Sequence, residues 1–307
     1  MREKLVEKIH NTLENSSLVV KLVLAFTTFL WSLTYIWNND IAYMSISVPN
    51  YLFLRYSICT VLLLLMYGKE LKHVTSKNVL HTVIIGLCLL VVAVVQVIAA
   101  LYTTPGNLAF IISAYVILVP VASLIFLKHK ASKKVWIAML ICVIGLYVIN
   151  VKPGESMDFN FGNFLAIFGA IALAIEIVLV NVASEEGASV GTINIIPNVV
   201  CALGGLIWSC IDGGFDFSAV DFWSLNPIYL IAIIGSFLPG ISQAYCQQHI
   251  NPNTASIIYS LESVMTCFIS IFMGYDTISF GLIAGGSLIT GAILFMEIDF
   301  SFLKKKH

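Results

Sequence analysis

Residues 79–101 read VLHTVIIGLCLLVVAVVQVIAAL, an unbroken stretch without Asp, Glu, Lys or Arg. As a helix rising about 1.5 Å per residue it is roughly 34 Å long, enough to cross the ~30 Å hydrocarbon core of a bilayer. Nine further stretches of similar length and character occur at 20–38, 47–67, 106–127, 134–151, 161–181, 190–210, 228–247, 253–274 and 278–297. A chain of 307 residues that is 59% apolar and 11% charged has no water-soluble fold in which to hide that surface. The expected fold is an all-α membrane protein with ten transmembrane helices. The connecting segments are short, the longest near 212–227, and leave no room for a soluble domain.

Charge fixes an expected orientation. If the N-terminus is cytoplasmic and the chain crosses ten times, fourteen of the sixteen lysines and arginines fall on the inner side. Lys152 lies outside and Arg55 lies within a span, while the outer segments carry Asp40, Glu155, Asp158, Asp212, Asp216, Asp221 and Asp276. The positive-inside rule then places both termini in the cytoplasm of a multi-pass plasma (inner) membrane protein. The segment 1–17, MREKLVEKIHNTLENSS, is charged and lacks a small-residue cleavage site, so a signal peptide is not expected. Two forms suit it: a surface helix with Leu5, Val6, Ile9 and Leu13 near one face, or a frayed tail. A basic cytoplasmic tail, 298–307, closes the chain.

All seven cysteines fall inside or at the edge of spans, where they read as small apolar packing residues. The six histidines show no spacing that gathers a metal. Trp37, Trp208 and Trp223 cluster towards the outer boundary, as an aromatic belt does. There is no P-loop, dinucleotide fingerprint or Ser/His/Asp arrangement, so neither an enzyme nor a nucleotide-driven pump is expected. No cofactor and no nucleic-acid partner are expected either; the partners are the lipid bilayer and a small-molecule substrate.

A shift of 146 residues overlays the second half of the chain on the first. NLAFII from Asn107 meets NTASII from Asn253, Ile125-Phe126 meets Ile271-Phe272, Ile137-Ala138 meets Ile283-Ala284, and Gly145 meets Gly291. With five helices in each half, the second half (161–297) enters the membrane from the side opposite to the first (18–151). Such inverted-topology repeats are the plan of many secondary transporters, whose site lies near the midplane between the halves. The stretches 100–150 (ALYTTPGNLAFIISAYVILVPVASLIFLKHKASKKVWIAMLICVIGLYVIN) and 247–296, with LWSLTYIW (30–37) and FLRYSICTVLLLL (53–65), resemble the drug/metabolite transporter superfamily, and more narrowly its EamA-type ten-helix permeases. The resemblance implies transport of a small organic metabolite. One departure is clear: the family often has Glu-Pro in its ninth helix, and here Glu262 is followed by Ser263. Pro120, in the fourth span, is the expected hinge near the corresponding place, and Pro197 is a second, with Asn194 and Asn198 satisfying the backbone group that proline frees.

Polar residues in the spans are the candidate substrate-binding set, because an ionisable group costs about 2.5–3.5 kcal/mol at a membrane-helix centre. Glu262 sits near the midplane of the ninth span. It suits a proton or substrate-amine site, and equally a protonated acid bonded to a carbonyl or a partner for Arg55. Glu176 lies about 7 Å to the cytoplasmic side of the sixth span's centre. The resemblance implies a variable, substrate-selecting position there. Arg55 cannot shed its charge and needs a partner, so a structural ion pair is expected. Gln96 and Gln243 stand at offset 147, one on each half, and Gln247 follows one turn later. These amides could hold a polar solute or bond between helices. Trp31, Tyr35, Tyr245 and Tyr259 could wall a cavity or simply pack. Glycines 281, 285, 286 and 291 permit close helix approach. The expected cargo is an amino acid or a related amine-bearing solute; another cargo, or a non-transporting sensor or scaffold, are the alternatives.

Overall fold

The computed structural model describes residues 2–42, 46–150, 160–214, 226–278 and 280–297. Trp223, Lys152 and the tail 298–307 lie outside the described residues. Thirteen helices are described: α1 Arg2–Ala42, α2 Val48–Tyr67, α3 Ser76–Ala100, α4 Pro105–Ile112, α5 Tyr115–Phe126, α6 Lys133–Asn150, α7 Phe161–Glu185, α8 Val190–Ile211, α9 Asn226–Ala232, α10 Leu238–Gln247, α11 Pro252–Tyr259, α12 Leu261–Phe272 and α13 Phe280–Glu297. A π-helical turn, Ile233–Phe237, joins α9 to α10. Eight segments among the described residues are long and apolar enough to cross a membrane: Leu18–Ala42, Val48–Lys72, Ser76–Ala100, Pro105–Phe126, Phe161–Glu185, Val190–Ile211, Asn226–Gln247 and Pro252–Phe272. The N-terminal segment takes the first of its two expected forms only in part, because it is helical and continuous with the first span.

Local chemistry sets the ends of these helices. Thr75, Thr104, Asn160, Ser189 and Asn251 each accept a backbone N–H from the first turn of the helix that follows. In Thr104-Pro105 and Asn251-Pro252 the cap is followed by proline at the first helical position, where no N–H is needed. These two helices, α4 and α11, are both cut short after eight residues. At each break a serine hydroxyl bonds back into its own helix: Ser113 Oγ donates to the Ala109 carbonyl and Ser260 Oγ to the Ile257 carbonyl. Back-bonding serines bend helices. The break in the fourth span therefore falls at Ser113-Ala114, ahead of Pro120, which sits inside α5. The ninth span breaks at the matching place without the family's proline.

Pairing between helices repeats when the two halves are exchanged. Helix α3 packs on α7 as α10 packs on α1, α5 on α7 as α12 on α1, and α4 on α12 as α11 on α5. The pairs α2 with α8 and α6 with α13 map onto themselves. The offset is 146 for α5 and α12, but α6 and α13 correspond at 147. Ala138, Met139, Cys142 and Gly145 are buried, and so are Gly285, Gly286, Ile289 and Ala292. Gly145 therefore corresponds to Ala292 and not to Gly291. One extra residue in the loop before α13 accounts for the slip. The outer surface carries nearly bare Leu65, Ile211, Phe272 and Phe280, as expected of side chains that meet lipid.

Close approach at the α6–α13 pair rests on Gly145: a Cβ there would stand 2.7 Å from the Gly285 carbonyl oxygen and 2.9 Å from Ile289 Cγ1. At Gly291 a Cβ would meet nothing within 4 Å. Gly145→Val is expected to destabilise the protein by about 1–3 kcal/mol through overpacking, and Gly291→Val to leave it nearly unchanged. Paired thermal melts in detergent measure the difference.

Candidate functional site

A cavity of about 100 Å³ lies where the two halves meet. That is several times the ~10–15 Å³ a single water needs. The first half contributes Trp31, Arg55, Tyr56, Gln96 and Tyr115; the second contributes Glu176, Asn194, Asn198, Gln243, Tyr259 and Glu262. Aliphatic side chains of α3, α7 and α8, among them Val92, Ile177 and Ile193, fill the rest of the wall.

Two carboxyls reach this space. Glu176 is held by Gln243, whose Nε2 donates to Oε1 and Oε2 at 3.2 and 3.1 Å. The aim of Gln243 is set one turn further along α10. There Gln247 Nε2 donates to the Ile177 carbonyl at 3.0 Å and to Asn181 Oδ1 at 2.9 Å. Asn181 Nδ2 in turn donates to the carbonyls of Gln247 and Ile250. This lattice fixes α10 against α7 and leaves Gln243 facing Glu176. Glu262 stands in the first turn of α12, just past the Ser260 break, with no hydrogen-bond partner among the described residues. The positive end of the α12 dipole lies beside it. Tyr115 and Tyr259 are within electrostatic reach of Glu262, and both hydroxyls are buried without a partner among the described residues. Trp31 meets Tyr259 edge to face, with ring centroids 5.2 Å apart.

Arg55 corrects an expectation. No carboxylate pairs with it among the described residues. Its Nε donates to Ser236 Oγ at 2.8 Å and its Nη1 to the Tyr51 hydroxyl at 2.7 Å. The guanidinium carbon lies 5.9 Å from the Tyr51 ring centroid and 4.9 Å from that of Tyr56. The reason is spacing: Tyr51 and Arg55 share one face of α2, whereas the acids approach from α7 and α12. From Tyr51 the chain of bonds continues, the hydroxyl donating to Asn38 Oδ1 at 2.8 Å and Asn38 Nδ2 to Gln96 Oε1 at 3.0 Å. The relay joins α1, α2, α3 and the π-helical turn.

The remaining candidates divide. Gln96, Gln243, Glu176, Glu262, Trp31, Tyr259 and Pro197 all line the cavity. Tyr35 is buried beside Gln96 but outside the lining, and Tyr245 is exposed on the far side of α10 against His249. Pro120 is buried within α5, away from the cavity wall. The amides beside Pro197 do not serve the carbonyl that proline frees, which belongs to Ile193; they donate to Val190 and Asn194 instead. Sequence reasoning missed Asn38, Tyr51, Tyr56, Tyr115 and Ser236. For Tyr51 a signal was present, since it stands four residues before Arg55 and so one turn away on the same face.

Comparison with known proteins agrees with this architecture. The EamA-like transporter family model matches residues 19–151 and again 160–298. This chain belongs to the EamA-like transporter family. An uncharacterized transporter of Archaeoglobus fulgidus is 22% identical over 202 residues, covering 64% of this chain and 62% of that relative, less than two thirds of its length. A protein of known crystal structure has the same fold, with a TM-score of 0.68 at 13% identity over 91% of this chain and 96% of its own.

The relay makes a direct prediction. Tyr51→Phe deprives both Arg55 and Asn38 of a partner and is expected to cost about 1–3 kcal/mol. Tyr56→Phe removes a hydroxyl with no partner among the described residues and should leave the ligand-free protein as stable as before. Thermal unfolding of the two variants in the same detergent decides it.

Proposed function

We propose that this protein is a secondary transporter of the plasma (inner) membrane that moves a small amine-bearing metabolite, an amino acid foremost, by alternating access. The observation that carries the reading is the convergence of Glu176 and Glu262 on one cavity whose facing wall comes from the other half of the chain. A carboxylate with no protein cation beside it is a site for an ammonium group or a proton. Each acid can release a proton as the ammonium arrives and regain one as it leaves, which links cargo to protons. A scaffold would have no need of such a cavity.

In this reading the chain crosses ten times, with both termini cytoplasmic and the halves of opposite topology. The repeated helix pairing supports it, as do α6 and α13, each 18 residues and about 27 Å long. Links between the halves occur at both ends of the bundle. At one end Glu70 Oε2 accepts the Gly191 N–H at 2.8 Å, and His81 Nδ1 meets Glu186 Oε2 at 2.8 Å. At the other, the Tyr275 hydroxyl donates to Asp40 Oδ1 at 2.7 Å and Asn107 Nδ2 to Asn163 Oδ1 at 3.2 Å. Alternating access requires one set to part while the other holds.

Counterflow of amino acids across proteoliposomes tests the function. Glu176→Gln and Glu262→Gln are expected to lower flux by about tenfold or more, the scale of a lost charged hydrogen bond, and at least one should flatten its dependence on pH. Unchanged flux and pH profile in both variants would remove the acids from the mechanism. For topology, alkaline phosphatase fused after Gly213 should be active and after Lys130 inactive. An eight-crossing chain that omits α6 and α13 puts both fusions inside.

A further inference from the structure

We propose that Arg55 is the carboxylate-binding residue of the cavity, so that the cargo is a zwitterion and not a simple amine. The inference rests on the amine-bearing reading above and adds the other half of the molecule. Arg55 is 5% exposed, permanently charged and lines the cavity. Among the described residues only two of its N–H groups are used, one from Nε and one from Nη1, and both go to neutral hydroxyls. A guanidinium carries five, so Nη2 and the second proton of Nη1 have no partner among the described residues. A buried cation without a counter-ion is a costly arrangement, and one that an incoming anion relieves.

The surroundings are built to keep that cation in place. Ser236 and Tyr51 hold its orientation through two hydrogen bonds, and the rings of Tyr56 and Tyr51 lie 4.9 and 5.9 Å from the guanidinium carbon, within cation–π reach. Asn38 and Gln96 brace Tyr51 through the relay. The Tyr56 hydroxyl, itself on a cavity residue beside the guanidinium, is buried and without a partner among the described residues. A carboxylate bound to Arg55 would supply it with an acceptor. The fixed positive charge of Arg55 and the acidic groups of Glu262 and Glu176 therefore stand on different helices around the same space. A zwitterion answers both ends and brings no net charge into the membrane with it. A simple amine leaves Arg55 unanswered.

Binding to the purified wild-type protein, by calorimetry and thermal shift, tests this with three matched sets. The first is leucine, 3-methylbutylamine and 4-methylpentanoate, which are the amino acid, the same skeleton without its carboxylate and the same skeleton without its amine. Phenylalanine with 2-phenylethylamine and 3-phenylpropanoate, and lysine with 1,5-diaminopentane and 6-aminohexanoate, form the others. The expected result is that in at least one set the amino acid binds about tenfold or more tightly than its decarboxylated amine. Arg55→Gln should abolish that difference, Arg55→Lys should keep part of it, and Tyr56→Phe should weaken only the carboxylate-bearing members. An amine that binds as well as its amino acid overturns the role of Arg55 and leaves the amine-bearing reading standing. A deaminated acid of the leucine or phenylalanine set, which carries no amine at all, that binds as well as its amino acid does the reverse, retaining Arg55 as an anion site and sinking the role of the two glutamates. No binding in any set overturns both. Because the comparison of ligands is made on the wild-type protein, it holds even if an Arg55 variant fails to fold.

Discussion

Hydrocarbon cannot donate or accept a hydrogen bond, and that constraint shapes every level of this protein. It requires each backbone amide and carbonyl to be satisfied inside its own segment, which makes the spans helical. It also makes any polar side chain within a span an event to be accounted for. Where the helices are interrupted, at Ser113-Ala114 and at Ser260, the serine hydroxyls bond to carbonyls of the preceding turn that also accept the serines' own backbone N–H groups. Where polar residues must be buried, they form chains: Ser236 to Arg55 to Tyr51 to Asn38 to Gln96, and Glu176 to Gln243 beside Gln247 and Asn181. Members of both chains, Arg55, Gln96, Ser236, Glu176 and Gln243, also line the cavity, beside Glu262, Tyr56, Tyr115 and Tyr259.

The division of labour between the halves follows from the same rule. The first half brings a cation that cannot be neutralised; the second brings two acids that can. Among the described residues no salt bridge between them closes the site, because Arg55 bonds to Ser236 and Tyr51 and Glu176 to Gln243. The aromatic side chains Trp31, Tyr115 and Tyr259 stand near Glu262 and supply apolar surface with a polar edge, suited to a solute that is itself amphipathic.

Much of this was legible in the residues. Apolar runs separated by short polar turns mark the spans, because burial in lipid leaves no other pattern. The polar residues Glu176, Glu262, Gln96 and Gln243 could be picked out for the same reason, and they do meet in one cavity. What the residues do not carry is direction around the helix. Tyr35 and Tyr245 look alike in the chain, yet one is in the core and the other on the surface. Arg55 announces that it needs company without saying that the company is tyrosine and serine. Pro120 draws attention as a helix breaker, while the break is made by a serine about two turns earlier, a residue too common to stand out. The register of the repeat is a further case: identities between apolar helices favoured a single offset, whereas burial shows that a loop residue shifts it by one before α13.

That last pair of helices has a use that its distance from the cavity conceals. Neither α6 nor α13 contributes a residue to the lining, and they meet each other with a glycine against a backbone carbonyl. In the alternating-access reading proposed above, two bodies that tilt against one another need a contact that stays put, and a seam in which the Gly285 carbonyl, Ile289 and Leu288 close directly on Gly145 has little slack to absorb the tilt. In that reading the fulcrum and the load fall on different helices, so the seam could be stiffened or loosened without touching the cavity, and a change there would alter how fast the halves tilt before it altered what they hold.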